Sequence, residues 1–190
     1  NEWWLCEADK ETLAITKKRI ETSSKNGFKV DGGPMYYDLR LGNLCNLKCR
    51  SCNSESSSAY HAEGKLIAKH DLRYERYWSP VDGKFDWYAN PEFWKDLRAN
   101  LENVRLIYLT GGEPTLIKES HEFLKECVNR GIAGQINVQI NTNCTVFNEE
   151  FYGLLSNFKQ AFLALSIDGV GKVNDYLRAP AKWDTVKSNV

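Results

Sequence analysis

The sequence has no excess of charge of either sign: 25 lysines and arginines meet 25 aspartates and glutamates. That balance removes the electrostatic reason to expect nucleic acid or another polyanion as a partner. No apolar run approaches the roughly 20 residues that span a bilayer. No charged start followed by an apolar core marks a signal peptide. The expected setting is therefore cytoplasmic, with no membrane partner. Cysteine is too sparse for a disulfide scaffold, at six in 190 residues, because small stapled domains carry far more. A hydrophobic content of 42% excludes a disordered chain and suits one globular domain.

What cysteine there is lies bunched, with Cys45, Cys49 and Cys52 spaced as CxxxCxxC in CNLKCRSC. Thiolates are soft ligands, and three on one short loop can converge on a single metal centre. A structural zinc site usually adds a second Cys or His pair, and the sequence has none at ligand spacing, so zinc would be one ligand short. A 4Fe-4S cubane takes one protein ligand per iron, so three cysteines leave one iron open to a small molecule. The alternative is a non-catalytic module with zinc on these cysteines and a fourth ligand such as His61. His61, His70 and His121 show no ligand spacing with one another. Cys127 and Cys144 read as small buried hydrophobes, and Cys6 alone cannot hold a second cluster.

Alternating strands and helices account for most of the chain. MYYDLRL, residues 35–41, alternates as a strand does and delivers the chain into the cysteine loop. Asn53 and Ser54 are capping types ahead of a helix over 59–70. A long polar and aromatic stretch, 71–90, reads as a surface loop or a lid. Asn90 caps a helix that starts at Pro91 and sets Trp94, Leu97 and Leu101 on one face. Strands follow at 104–109, 135–140 and 161–167, separated by helices over 117–129 and 149–157. Ser120, Phe123, Leu124, Cys127 and Val128 share one face of the first helix, and Phe151, Leu154, Leu155 and Phe158 of the second. Residues 162–165 are apolar on both faces, as in a parallel strand covered by helices.

That rhythm predicts an α/β fold with a parallel barrel or sheet, in which sites form beyond the C-terminal ends of strands. The cysteine loop, GGEP at 111–114, NTN at 141–143 and SIDG at 166–169 all fall at such ends. Paired glycines allow backbone to approach a ligand closely. Ser166 and Asp168, two apart, would point the same way along a strand.

CxxxCxxC after a strand, with GGEP after a second strand, resembles the radical S-adenosylmethionine superfamily, and NTN and SIDG echo it. The resemblance covers residues 35–190 and implies a partial TIM-like (β/α)6 barrel. Only four strands can be counted, so the expected barrel is truncated after the fourth strand and helix. The chain also starts at Asn1 and ends inside an amphipathic run with Trp183, Val186 and Val190 at helical spacing, so both ends look cut. Residues 33–190 are expected to form the core, with 1–32 a segment of uncertain role in which Trp3, Trp4 and Cys6 pack against something.

The resemblance further implies a 4Fe-4S cluster on Cys45, Cys49 and Cys52, with S-adenosylmethionine chelating the open iron. Gly111, Gly112, Glu113 and Pro114 would contact its methionine moiety, with Glu113 positioning rather than acting as a base. Asn143, Ser166, Asp168 and Arg178 are the further cofactor-binding candidates. The implied reaction is reductive cleavage of S-adenosylmethionine to a 5'-deoxyadenosyl radical that abstracts hydrogen from a peptide or small biosynthetic intermediate. A flavodoxin or ferredoxin would serve as electron donor. SIDG and NTN look most like the branch that often carries a C-terminal SPASM or twitch domain. Ser51 departs from the pattern, because the residue before the third cysteine is often aromatic there and packs on adenine.

Overall fold

The computed structural model describes residues 10–30, 32–70 and 87–190. The expectations for Trp3, Trp4 and Cys6, and for residues 71–86 of the insertion, fall outside them. Four strands, β1 (Tyr36–Arg40), β3 (Leu106–Thr110), β4 (Asn137–Thr142) and β5 (Gln160–Leu165), form one parallel sheet in the order β1-β3-β4-β5. A separate two-residue strand, β2 (Lys48–Cys49), lies inside the cysteine loop.

The strands pack against helices through alternate residues. Leu39, Ile107, Leu109, Val138 and Ile140 point into one core with α3 (Pro91–Ala99), α4 (Lys118–Asn129) and α5 (Glu149–Leu155). Trp94 and Leu97 come from α3, Phe123, Leu124 and Cys127 from α4, and Phe151 and Leu155 from α5. Each such side chain contributes about 1.5–3 kcal/mol when fully buried. The opposite face of the sheet carries Asp38, Arg40, Tyr108, Thr110, Gln139 and Asn141, all exposed or half-buried. This one-sided helical cover over parallel strands is a partial TIM-like barrel with polar residues on its inner face.

Local signals set most helix starts. Asn90 accepts from the Glu92 amide and Pro91 opens α3, while Asn148 accepts from the Phe151 amide at the start of α5. The predicted caps Asn53 and Ser54 do not start α2 (His61–His70). Asn53 closes its own turn by accepting from the Glu55 and Ser56 amides, and Ser57 caps the short turn that leads into the helix.

The strands are shifted from their expected bounds where tight turns intervene. Residues 133–135 form a 3₁₀ turn, so β4 starts at Asn137 and contains the first two residues of NTN. β5 stops at Leu165, whose carbonyl accepts from Ile167 in a turn. Ser166 and Asp168 therefore sit in the loop beyond the strand, and a period of two does not apply to them. Among the described residues β5 is also an edge without the expected helical cover on both faces: Phe162 is 51%, Leu163 41% and Leu165 40% exposed.

Two further segments close the ends of the sheet. Helix α1 (Lys10–Lys25) reaches the N-terminal ends of the strands, where Arg19 donates to the Gly33 carbonyl and Asn103 Oδ1 and Lys159 pairs with Glu11. At the other end, α6 (Lys172–Leu177), β6 (Arg178–Ala179) and α7 (Trp183–Asn189) fold back so that β6 pairs antiparallel with β2. Val186 of α7 is buried, but Val190 is 67% exposed and leaves the expected stripe. No helix among the described residues is long and apolar enough to cross a membrane.

Candidate active site

Beyond β1 the chain turns through Gly42, at φ +73°, into the cysteine loop. The short polar run after the cysteines satisfies the backbone of that loop. Ser57 Oγ donates to the Leu47 carbonyl, Tyr60 Oη to the Cys49 carbonyl, and Ser58 Oγ both accepts from the Cys45 amide and donates to the Cys45 carbonyl. The buried Asn43 side chain donates to the Ser54 carbonyl and meets His61 Nε2 at 3.2 Å. Cys45, Cys49 and Cys52 thereby share one small apolar cluster with Leu47, Cys144, Ala181, Trp183 and Val186.

The three thiols differ in acidity. Burial pushes the Cys45 thiol up. Cys49 donates to Cys52, which holds Cys52 down at about 6 and, with burial, drives Cys49 up. Arg178 favours the thiolate form of both. Of the three, only Cys52 is on balance held towards the thiolate form.

Beyond β3, the GGEP loop packs on the cysteine loop. Gly111 and Gly112 lie at φ +80° and +50°. A Cβ on Gly112 would come within 2.3 Å of the Leu44 carbonyl oxygen, and one on Gly111 within 3.0 Å of the Gly42 carbonyl oxygen. The glycines are thus required by close approach to the cysteine loop itself, a constraint that the sequence argument about a bound ligand did not contain. The Glu113 amide donates to the same Leu44 carbonyl at 2.8 Å.

Glu113 is 1% exposed, so its carboxylate is shut away from solvent. Its Oε1 accepts from the Thr115 amide, Thr115 Oγ1 and Thr142 Oγ1, and its Oε2 accepts from the Asn143 amide at 2.6 Å. Pro114, also buried, opens the short turn that brings Thr115 to this carboxylate. A buried carboxylate with four donors is the satisfied form that burial of charge demands.

Beyond β4, Asn143 Nδ2 donates to Asn46 Oδ1 at 3.0 Å and lies 3.8 Å from Cys45 Sγ, and its Oδ1 accepts from Thr145. Its side chain is committed to tying the strand end to the cysteine loop. Beyond β5, the Ser166 amide donates to the Thr142 carbonyl. Asp168 pairs with Arg178 at 2.9 Å, and Arg178 Nη1 lies 3.7 Å from Cys49 Sγ. The Arg178 Nε–H is not aimed along a hydrogen bond, so this contact is an ion pair.

The candidate residues therefore gather at one rim: Cys45, Cys49, Cys52, Gly111, Gly112, Glu113, Pro114, Asn143, Asp168 and Arg178 form one connected set, and Ser166 joins it through its backbone. Sequence reasoning missed Asn43, Asn46, Ser57, Ser58, Tyr60 and Thr142. The signal for the serines was the run SESSSA after the third cysteine, since clustered short hydroxyls beside an irregular loop bond its backbone.

Among the described residues, no three His, Cys, Asp or Glu side chains close on a point where one metal ion could touch all of them. The donor set itself, three cysteines on one loop, suits a soft centre that takes a thiolate at each of several irons.

The family model of the radical SAM superfamily matches residues 39–190, and the chain belongs to that superfamily. That superfamily is one of enzymes that pair a 4Fe-4S cluster with S-adenosylmethionine. Two crystal structures of Streptococcus suis SuiB are similar in fold. The one described as bound to S-adenosylmethionine has 21% identity and a TM-score of 0.53, covering 96% of this chain and 36% of SuiB. The one described as bound to precursor peptide SuiA has 21% identity and a TM-score of 0.53, covering 94% of this chain and 34% of SuiB. The chain thus spans about a third of the length of these structures. Among curated proteins none matches.

Proposed function

We propose that residues 33–190 are the catalytic core of a radical SAM enzyme, with Cys45, Cys49 and Cys52 as the three ligands of a site-differentiated 4Fe-4S cluster. Residues 1–32 are in this reading an appended segment, of which helix α1 contacts the far end of the sheet. The observation that carries it is the junction at Glu113, which locks the cysteine loop, GGEP and the end of β4 into one rim. When bound, the cluster supplies one electron for cleaving S-adenosylmethionine to methionine and a 5'-deoxyadenosyl radical that abstracts hydrogen from the substrate.

The residues present the thiolates, place the ligand and exclude water. Leu47, Ala181, Trp183 and Val186 pack apolar surface around the cysteines. Gly111, Gly112 and Pro114 shape the wall on which the methionine moiety would lie, and Glu113 holds that wall to the cysteine loop. Ser166 lies at the same rim, within reach of the ribose side of the ligand in this reading. Asn143 acts by fixing Asn46 and the approach to Cys45.

The substrate is proposed to be a peptide or a small biosynthetic intermediate, delivered to the inner face of the sheet. Asp38, Arg40, Tyr108, Gln139 and Asn141 offer donors and acceptors there at strand spacing, which matches amide groups. SuiB is described in complex with a precursor peptide, which agrees with the peptide reading. A flavodoxin- or ferredoxin-like donor would supply the electron. The test is anaerobic reconstitution with iron and sulfide, followed by reduction in the presence of S-adenosylmethionine. Formation of 5'-deoxyadenosine is expected, and a fully loaded protein that forms none would reject the reading.

A further inference from the structure

We infer that Arg178 acts on the thiolate of Cys49 rather than on a bound ligand's carboxylate, and that Arg178 and Asp168 together set the reduction potential of the centre. The inference rests on the proposed cluster at Cys45, Cys49 and Cys52. Its basis is the antiparallel pair in which Cys49 stands directly opposite Arg178 and Lys48 opposite Ala179. Residues opposite one another in such a pair have neighbouring side chains. The pairing is extended by the Arg50 amide, which donates to the Leu177 carbonyl at 2.8 Å. It places Arg178 Nη1 3.7 Å from Cys49 Sγ.

The guanidinium is held on its other side. Its Nε lies 2.9 Å from Asp168 Oδ2, and its side chain is only 14% exposed. Asp168 is itself anchored, because its amide donates to Oδ1 of Asn174, a residue with no exposed surface. Arg178 is therefore already engaged on both sides, and a cation beside a ligand sulfur has a definite consequence. Reduction adds negative charge to the centre and its sulfurs, so an N–H donor and a positive charge there stabilise the reduced form and raise the potential. The Asp168 carboxylate opposes this, so the two residues act with opposite signs.

The experiment uses the anaerobically reconstituted chain without S-adenosylmethionine. Iron and sulfide are counted, and the midpoint potential is read from the EPR signal of the reduced cluster. Arg178→Met is expected to lower the ratio of reduced to oxidised cluster by up to about tenfold at fixed solution potential, because the lost bond and charge favour the more negative reduced form over the oxidised one by part of the worth of a charge-assisted hydrogen bond. For a one-electron couple this is a fall of up to about 59 mV. Arg178→Lys should fall between Arg178→Met and the parent chain, and Asp168→Asn should move the midpoint upward.

A parent chain that binds no iron and sulfide would overturn the cluster reading itself. Full clusters with coincident midpoints in all the variants would overturn this inference and leave that reading intact. Weaker binding of S-adenosylmethionine by Arg178→Met at an unchanged midpoint would assign Arg178 to the ligand, against the inference. Should Arg178→Met lose its cluster, the Asp168→Asn midpoint decides, and a value unchanged or lower counts against it.

Discussion

The backbone amide of Asn143 donates to Oε2 of Glu113 at 2.6 Å, joining the end of β4 to the loop that follows β3. The amide of Glu113 in turn donates to the Leu44 carbonyl, one residue before the first cysteine of the motif. A single buried residue thus couples three loops, so a change in any one of them reaches the thiols.

Glu113→Ala should therefore disturb the cysteines although Glu113 is not a ligand. Hydrogen bonds to charged groups contribute about 1.5–3 kcal/mol each, and the variant strands four donors that now meet the carboxylate. A loss of at least about 3 kcal/mol in urea unfolding is expected, together with sub-stoichiometric iron and sulfide. Full stability and full occupancy would mean that the junction is incidental.

Gly112→Ala should lower cluster occupancy as well as the response to S-adenosylmethionine, since its Cβ would sit 2.3 Å from the Leu44 carbonyl oxygen. Gly153→Ala is the matched control, because a Cβ there meets nothing within 4 Å. Placed in an exposed helix interior, that alanine should stabilise the protein by about 0.5–1 kcal/mol. Iron content and thermal midpoint, measured on both variants, separate strain at the site from a general glycine effect.

The open edge of β5 should drive association. Phe162, Leu163 and Leu165 are exposed on a strand without a neighbour on its far side among the described residues. Light scattering on the 190-residue chain should show dimers or larger species, and Leu163→Lys should reduce them. A monomer with strong hydrogen-exchange protection along residues 160–165 would show the edge to be covered.

Cys127 makes alkaline pH destabilising. Burial pushes its thiol up to about 12 in the folded chain, from 9.0. The folded state then keeps a proton that the unfolded chain releases, so this contribution is complete below about pH 9 and is lost as pH rises towards 12. Cys127→Ala should flatten the alkaline limb of a stability profile while leaving iron binding intact. An unchanged limb would trace the pH dependence to other groups.

The parts of the fold legible in the sequence are those written locally. Asn90 and Pro91 marked a helix start through side-chain capping, and the stripe of Ser120, Phe123, Leu124 and Cys127 marked the buried face of α4. The CxxxCxxC spacing put three thiols on one loop for the same reason. What could not be read depends on partners far apart in sequence. The pairing of Cys49 with Arg178 spans 129 residues and involves strands of two residues, too short to show any period. The burial of Glu113 depends on Thr142 and Asn143, about 30 positions away. The glycines of GGEP were legible as a need for close approach, but not that the approaching group is the Leu44 carbonyl.

The central claim is that Cys45, Cys49 and Cys52 hold one 4Fe-4S cluster. Its most direct test is iron and sulfide analysis, with visible absorbance, of the anaerobically reconstituted chain beside Cys45→Ala, Cys49→Ala and Cys52→Ala. About four irons and four sulfides per chain are predicted, with loss of the cluster in each variant. Colourless protein holding zinc, or a full cluster retained in Cys45→Ala or Cys49→Ala, would contradict it.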